Sequence, residues 1–381
     1  ILGITTLSAQ KPPKREFRGA WIQTVFQSEY ANMTSEEMKA DFIRKLDLLQ
    51  TCGINAIIFQ VRPEADAWYL SEIEPWSRFC TGKQGVAPDP LFDPMAFLIK
   101  ECHRRNMEFH AWLNPFRAGT SGTSTLAETH VYHEHPEWFV TYNKQLLFDP
   151  GIPACREYIC RIVEDIVSRY DVDAIHMDDY FYPYPVNGMP FPDDNSFRTY
   201  GKGYKPEERD DWRRENVNEL IRGVYHAVKE ARPSAQFGIS PEGYVEHLRS
   251  DNRLFADVDV WLSHDGYVDY IMPQIYWGFE HQLSNGSPAP FAFENNLKTW
   301  ISLVKRGHAK LYIGLAMYKA GSNARDNTGI PEWKRYDDII SRQVEAGRAS
   351  GSVSGYCFYE YSSFQDEACQ KEVRNLMKVF R

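Results

Sequence analysis

The chain has 381 residues, 43% of them hydrophobic, and a formal net charge of −9 at pH 7. This content is enough for a large buried core, and α/β barrels often reach this length as a single domain. The negative charge without a basic cluster argues against a nucleic-acid-binding protein. No run of 18 apolar residues occurs, so the sequence predicts no membrane-spanning helix.

Residues 1–14 differ from the rest of the chain. The segment from Ile1 to Gln10 is similar to the end of a signal peptide, with a small-residue cleavage site after Ala9. The alternative is a disordered leader. We therefore expect residues 15–381 to form the folded domain of an exported protein, in the periplasm or cell envelope, and we expect a monomer. The seven cysteines include no CxxC pair, which favours free, mostly buried thiols.

Eight predicted strands alternate with helices along the chain. The strands cover residues 17–24, 55–62, 107–113, 173–178, 235–240, 268–275, 310–315 and 354–359. The helices cover about 35–53, 94–105, 154–170, 211–231, 252–263, 291–306, 333–349 and 366–379. The first helix is preceded by a capping-box pattern, in which Thr34 is followed three residues later by Glu37.

This alternation predicts the fold class. Eight strand–helix units with right-handed crossovers suit a single (β/α)8 TIM barrel. Its βα loops would be long, because residues 114–153 and 182–205 are predicted as loops, and long loops in compact domains are usually functional. An open doubly wound sheet is the alternative, but no GxGxxG or GxxxxGK[ST] motif follows a strand.

Polar and aromatic side chains collect where the predicted strands end. Barrel enzymes have their active sites at the carboxyl ends of the strands, and side chains two residues apart on a strand share a face. We therefore predict one pocket lined by residues from several strands: Gln60, Arg62, Glu64, Trp112, Asn114, Arg117, His176, Asp178, Tyr180, Glu242, Gln274, Tyr276, Trp277 and Tyr359.

Two of these residues are carboxylates on neighbouring predicted strands. Asp178 ends the fourth strand and Glu242 follows the fifth, so both would point into the barrel mouth. Glycoside hydrolysis uses such a pair, one ionised and one protonated. Arg62 could keep Asp178 ionised, whereas Asp179 is out of phase and is predicted to orient the loop or bind a neighbouring group. The alternative is that the carboxylates only form ion pairs with Arg62, Arg117 or His176.

Other reaction classes lack their sequence patterns. No HExxH motif or His/Cys spacing predicts a zinc site, and GxSxG is absent, which disfavours an α/β-hydrolase. We expect no metal and no organic cofactor.

Several strings together resemble the bacterial glycosyl-hydrolase-like family 10 over about residues 15–360. They are Phe17–Trp21, Phe59–Pro63, Ala111–Pro115, Asp149–Gly151, Val172–Pro183, Phe237–Pro241 and Met272–Trp277, of which Ile175–Pro183 is the most specific. This family is similar to barrel glycoside hydrolases of the amylase and α-galactosidase groups. It includes an exported enzyme that cuts peptidoglycan glycan strands lacking stem peptides. The resemblance implies Asp178 as a catalytic carboxylate and leaves the acid/base less defined, so Glu64, Asp66, Asp179 and Glu360 remain further candidates.

The sequence thus predicts a hydrolase of glycosidic bonds in a bacterial glycan, with peptidoglycan favoured. Asp178 is predicted as nucleophile or charge stabiliser and Glu242 as general acid/base, with retention favoured by the resemblance. The predicted contacts to sugar hydroxyls are from Gln60, Arg62, Asn114, Gln274 and Tyr276, and the predicted stacking platforms are Trp112 and Trp277. Two rival functions are a non-catalytic glycan-binding barrel and a carbohydrate esterase or deacetylase.

Overall fold

The structure is a computed structural model that describes residues 16–123, 125–250, 254–304 and 307–381. The predicted leader, residues 1–14, lies outside the described residues. The strands within the described ranges are β1 (Phe17–Ile22), β2 (Ala56–Arg62), β3 (Glu108–Leu113), β4 (Arg117–Gly119), β5 (Phe139–Tyr142), β6 (Gln145–Phe148), β7 (Ala174–Met177), β8 (Gln236–Ile239), β9 (Tyr270–Ile271), β10 (Lys310–Leu315) and β11 (Gly355–Phe358).

Eight parallel strands close into a barrel in the order β1-β11-β10-β9-β8-β7-β3-β2. The first and last strands pair directly, with Phe17 opposite Gly355 and Ala20 opposite Phe358. This pairing leaves no open edge, so the predicted (β/α)8 barrel is confirmed and the open doubly wound sheet is wrong. All seven residues of β2 are buried, as expected for a parallel strand covered on both faces.

Helices surround the barrel. Within the described ranges they are α1 (Ser35–Thr51), α2 (Arg78–Thr81), α3 (Pro94–Arg104), α4 (Pro153–Arg169), α5 (Asp194–Tyr200), α6 (Arg209–Ala231), α7 (Val245–Arg249), α8 (Val258–Ser263), α9 (Phe293–Val304), α10 (Glu332–Arg335), α11 (Ile339–Ser350) and α12 (Gln370–Val379). The predicted capping box of α1 is confirmed, because Thr34 accepts from the Glu37 backbone N–H and the Glu37 side chain returns to Thr34.

Three predicted elements differ clearly in extent from the prediction. The helix predicted over 252–263 begins only at Val258, where Asp257 caps it. The helix predicted over 333–349 is divided into α10 and α11. The strand predicted over 268–275 keeps two residues, and beyond Pro273, which has no N–H to donate, only isolated bridges of Gln274 continue it.

The long connection over 114–153 is not a plain loop as predicted. It contains β4, β5 and β6, which form a three-stranded antiparallel sheet in the order β4-β6-β5. Its strands have three or four residues each, too short for the alternation of side chains to be recognised in the sequence. This small sheet lies beyond the carboxyl end of β3, on the side of the barrel where the predicted pocket lies.

The inside of the barrel is filled by aromatic rings. Phe17, Trp21, Trp112, Tyr270 and Tyr312 belong to one buried cluster there, separate from the larger core beneath the helices. A glycine in β8 makes room for one of these rings, since a Cβ on Gly238 would lie 2.1 Å from the Tyr270 ring. The inside of the barrel is therefore a packed core.

Two further features follow from the described residues. None of the helices described is long and apolar enough to cross a membrane. All seven cysteines are free, and six of them are buried, which confirms the prediction from their spacing.

Candidate active site

A cavity of about 370 Å³ lies at the carboxyl ends of the barrel strands. It is lined by Gln60, Trp112, Arg117, Asp178, Asp179, Tyr180, Gln274, Tyr276 and Tyr359 among the predicted residues, and also by Trp21, Gln23, Val25, Phe26, Tyr184 and Ser240. We call this cavity the central cleft. A larger cavity of about 590 Å³ lies at the amino ends of the strands, next to Lys310 and Asp269. Barrel enzymes have their catalytic groups at the carboxyl ends of the strands, and the central cleft is the cavity that contains Asp178 and the other strand-end residues, so it is the candidate site.

The Asp178 carboxylate is held by three hydrogen bonds. Its Oδ2 accepts from the Trp112 indole N–H at 3.1 Å and from the Asn114 amide at 2.6 Å. Its Oδ1 accepts from the backbone N–H of Tyr180 at 3.1 Å. Burial raises the pKa of Asp178 above its ordinary value, while the Arg117 charge and these hydrogen bonds oppose the shift. Asp178 is thus fixed in orientation at the floor of the cleft.

Asp179 lies in the same cleft. Its Oδ2 accepts from the Tyr184 hydroxyl at 2.5 Å. Burial, followed by the negative charges of Asp178 and Glu242, raises the pKa of Asp179 to about 7, although the bond from Tyr184 works against this. The cleft therefore contains two adjacent carboxyl groups with raised pKa values, and that of Asp179 is near neutral pH.

Tyr184 was missed by the sequence reasoning. It follows the Ile175–Pro183 string directly, in a loop where strand phase no longer indicates direction. Tyr180 and Tyr184 pack edge to face with ring centroids 5.6 Å apart, and the Arg117 guanidinium lies 5.6 Å from the Tyr180 ring centroid. These rings form one side of the cleft, and Tyr276 and Tyr359 form another, with centroids 6.0 Å apart.

Asn114 and Gln60 orient other groups. Both side chains are completely buried. The Asn114 Oδ1 accepts from Gln60 at 2.5 Å and from Arg117, while its amide donates to Asp178. The Gln60 Oε1 in turn accepts from the backbone N–H groups of Thr24 and Val25. Asn114 is therefore a positioning residue and not a sugar contact. Gln60 also positions its neighbours, but it lines the central cleft, so its sugar contact stays a prediction.

The structure also corrects the predicted roles of Arg62, as a partner of Asp178 and a sugar contact, and of Glu64, as a residue of the pocket. Arg62 is completely buried, its guanidinium donates to both oxygens of Glu74 at 2.7 and 2.8 Å, and its remaining donors reach backbone carbonyls. It is not the partner of Asp178. Glu64 is equally buried and accepts from Arg78 at 2.8 Å and from the Thr120 backbone N–H at 2.8 Å. Neither side chain is available to a substrate, since both are already fully paired.

His176 lies below the cleft, inside the barrel, and the predicted substrate contact is wrong for it. Its Nε2 is 3.3 Å from the Trp21 indole nitrogen, and its Nδ1 is 2.9 Å from the Tyr270 hydroxyl. The Tyr270 hydroxyl is also 3.1 Å from Nδ1 of His110. Burial, together with the charge of His110, holds the pKa of His176 well below its ordinary value, so the ring is neutral and accepts from Trp21.

Glu242 and Trp277 lie beside the central cleft and are not among its lining residues. The Glu242 carboxylate forms a short ion pair with His247, and its charge contributes to the raised pKa of Asp179. The Trp277 ring packs on Phe291 with centroids 5.3 Å apart. The predicted stacking platform at Trp277 is thus displaced from the cleft, and Trp112 is mostly buried with its indole N–H directed at Asp178.

The remaining predicted residues lie at the cleft as expected from strand phase. The Gln274 amide donates to the Ser240 carbonyl at 2.9 Å, and the Tyr359 hydroxyl forms a short hydrogen bond to Gln23. In the part of the chain that the structure describes, no three His, Cys, Asp or Glu residues come together as a metal site requires. The side chains present in the cleft suit proton transfer and carboxylate chemistry on a polar, ring-shaped substrate.

A closed barrel with two carboxyl groups and aromatic walls at its carboxyl end is the arrangement of a carbohydrate-active barrel enzyme. The model of the family glycosyl hydrolase-like 10 matches residues 16–333. The chain therefore belongs to the glycosyl hydrolase-like 10 family, which confirms the resemblance found in the sequence, and it is a glycosidase.

Two curated relatives agree with this family. Glycosyl hydrolase YngK of Bacillus subtilis (strain 168) is 39% identical over 372 residues, covering 92% of this chain and 71% of the relative. Glycosyl hydrolase DigH of Escherichia coli (strain K12) is 35% identical over 380 residues, covering 88% of this chain and 84% of the relative.

Solved structures share the fold at low sequence identity. The PgaB (BpsB) glycoside hydrolase domain from Bordetella bronchiseptica has a TM-score of 0.56 and 14% identity, covering 93% of this chain and 97% of that one. The β-galactosidase from the psychrophilic Marinomonas ef1 has a TM-score of 0.58 and 10% identity, covering 95% and 59%.

Proposed function

We propose that this glycosidase hydrolyses glycan strands of peptidoglycan by a two-carboxylate mechanism, after export to the periplasm or cell envelope. One observation carries the mechanism: Asp178, fixed by three hydrogen bonds, shares the central cleft with Asp179, whose pKa is raised to about 7. The substrate class is supported by the resemblance to a family with an enzyme that acts on peptidoglycan lacking stem peptides. The export is supported by the signal-peptide pattern of residues 1–14.

Asp178 acts on the anomeric carbon in this proposal. Its carboxylate attacks that carbon, or stabilises the positive charge that develops there, while the glycosidic oxygen leaves with a proton. The donors on Asp178 come from Trp112, Asn114 and Tyr180, and they hold the carboxylate in one orientation before the substrate arrives. Attack by Asp178 gives a covalent glycosyl-enzyme, and its hydrolysis by water retains the anomeric configuration.

The proton donor is a second carboxyl group. Glu242 is the partner predicted from the sequence, and it adjoins the cleft with its carboxylate paired to His247. Asp179 is supported more strongly, because it lines the central cleft and its pKa is raised to about 7, close to the pH at which a general acid is most effective. After donating its proton to the leaving oxygen, the same carboxylate can activate the water that cleaves the intermediate.

Turnover on defined peptidoglycan tests the function. We expect release of new reducing ends from purified sacculi stripped of stem peptides, and less from sacculi that retain them. Asp178→Asn should abolish the release. Binding without any reducing ends would favour the glycan-binding barrel, and release of acetate without reducing ends would favour the esterase or deacetylase. Either result would contradict the proposal.

Leaving-group dependence identifies the proton donor. In an aryl glycoside made from an acidic phenol, the phenolate is a good leaving group and departs without being protonated. Loss of the general acid therefore has little effect on the cleavage of such a substrate. We expect Asp179→Asn to slow hydrolysis of glycan strands by about 10²–10⁴-fold, and to slow that of the activated glycoside far less. Glu242→Gln, the matched variant, should slow both substrates to a similar and smaller degree. The reverse pattern would assign the proton to Glu242.

A further inference from the structure

Phe26 is an exposed aromatic residue at the mouth of the central cleft. It lies in the loop after β1, is 65% exposed, and lines the cleft. Its ring contacts that of Phe79 edge to face, with centroids 6.2 Å apart. The sequence reasoning did not select it. A single exposed phenyl ring is common on protein surfaces, so its backbone provides the more informative observation.

The backbone of Phe26 is in the left-handed region, with φ at 62°. It is the third residue of a turn closed by a hydrogen bond from the Gln27 N–H to the Thr24 carbonyl at 3.1 Å. Turns with positive φ at this position strongly favour glycine, because a Cβ is strained there. A bulky aromatic residue occupies the position instead, and such strain is concentrated at functional sites.

The turn is held rigidly against the catalytic floor. The Gln60 Oε1 accepts from the N–H groups of Thr24 at 2.9 Å and Val25 at 2.8 Å, and the Thr24 hydroxyl donates to the Gln60 carbonyl at 2.9 Å. Gln60 also donates to Asn114, the residue that orients Asp178. The ring of Phe26 is therefore presented at a fixed place relative to the reacting centre, at little cost in ordering on binding.

Phe26 lies across the mouth from the carboxylates. It follows β1, whereas Asp178 follows β7, and β2 and β3 lie between them in the barrel. The rings of Tyr180 and Tyr184 lie on the side of the carboxylates and are 43% and 37% exposed. The central cleft therefore has exposed aromatic rings on both sides of its mouth, those of Tyr180 and Tyr184 near the carboxylates and that of Phe26 on the β1 side.

We propose that Phe26 forms a separate sugar-binding subsite, where its ring stacks on the apolar face of a pyranose next to the one that is hydrolysed. The ligand class is a glycan strand of several sugars, as opposed to a disaccharide. The inference rests on the proposed function for the nature of the ligand, since the occupant must be a carbohydrate.

Binding to length-fractionated glycan strands tests the subsite. The probes are peptidoglycan disaccharides and octasaccharides without stem peptides, and the protein carries Asp178→Asn so that binding is measured without turnover. Phe26→Gly should weaken the Kd for the octasaccharide about 5–30-fold, equivalent to ~1–2 kcal/mol, and change the Kd for the disaccharide less than about twofold. Phe26→Trp, which keeps a ring, should remain within about threefold of the parent.

Stability measurements separate this role from packing. Phe26→Gly relieves the left-handed strain, so its Tm should be equal to or slightly above that of the parent. Lys144→Gly is the matched control, because Lys144 has the same φ of 62° and lies outside the central cleft. It should match Phe26→Gly in Tm and leave both Kd values unchanged.

Two results would overturn the subsite. One is an unchanged octasaccharide Kd in Phe26→Gly. The other is a lower Tm with equal losses for both lengths, which would indicate a packing role. If strands bind through Phe26 and the parent enzyme releases no reducing ends from them, the proposed hydrolysis fails while the subsite stands.

Discussion

At the scale of the residue, the chemistry of Asp178 depends on its burial and on the three hydrogen bonds that its carboxylate accepts. Burial disfavours the charged carboxylate, whereas Arg117 and the donors from Trp112, Asn114 and Tyr180 favour it. A carboxylate held in this way needs no reorganisation when charge develops on the substrate, which is the main source of electrostatic catalysis. The neighbouring Asp179 accepts from the Tyr184 hydroxyl, and burial with the charges of Asp178 and Glu242 raises its pKa to about 7.

Asp178→Asn is the sharpest test at this scale. The change keeps the size of the side chain and removes the negative charge, so we expect turnover to fall by at least about 10³-fold while the protein remains folded. Initial rates on glycan strands and a thermal melt measure the two effects. Glu36→Gln, at an exposed carboxylate of α1, is the control and should leave the rate unchanged. An unchanged rate in folded Asp178→Asn protein would exclude Asp178 from the chemistry.

At the scale of elements, buried ion pairs connect the strands to the loops that form the mouth. Arg62 at the end of β2 pairs with Glu74 in the following loop, and both side chains are at most 1% exposed. Glu64 pairs with Arg78 of α2 and receives the N–H of Thr120, just after β4. These contacts fix the loop after β2 and the small antiparallel sheet in place beside the catalytic floor.

Removal of one partner of the buried pair should be costly. Glu74→Ala leaves the Arg62 guanidinium buried without its carboxylate, so we expect a loss of about 3–5 kcal/mol in the free energy of unfolding. Urea denaturation measures this loss. Asp337→Ala, in the exposed pair with Lys371, should cost at most about 1 kcal/mol. If Glu74→Ala also costs less than about 1 kcal/mol, water or another group must reach the Arg62 guanidinium.

At the scale of the whole molecule, several buried carboxyl groups make stability depend on pH. Burial raises the pKa of Asp66, Asp179 and Glu372 to about 7 each. In the unfolded chain such groups titrate near 4. Between these values the native state binds more protons than the unfolded state. The stabilising contribution of these groups is therefore complete at low pH and is lost as pH rises through about 7.

We therefore expect each of these groups to lower the free energy of unfolding between about pH 4 and pH 7, by up to ~1.4 kcal/mol per pH unit. The buried His130 and His176 contribute the opposite slope, because burial lowers their pKa values. Urea denaturation at several pH values measures the slope. Glu372→Gln should reduce it, because this variant removes one titrating group that accepts from Ser341. Glu36→Gln, at an exposed carboxylate, should leave the slope unchanged. A slope that is the same in Glu372→Gln and in the parent protein would contradict the raised pKa of Glu372.

The sequence by itself determined the features that depend on local order. The alternation of strands and helices predicted the barrel, because apolar periodicity is a property of neighbouring residues. The spacing of Thr34 and Glu37 predicted the cap of α1 for the same reason. Asp178 ends a predicted strand, so it was expected at the carboxyl face of a parallel barrel, independently of the loop conformations.

The tertiary structure alone decided which polar groups face the cleft. Arg62 and His176 have the correct strand phase, but Glu74, in the following loop, and Tyr270, 94 residues further along the chain, occupy their polar atoms. Tyr184 and Phe26 enter the cleft from loops, where no period relates sequence to direction. A buried polar group must find a partner, and that partner is chosen by the packing of the whole chain, which a local pattern does not encode.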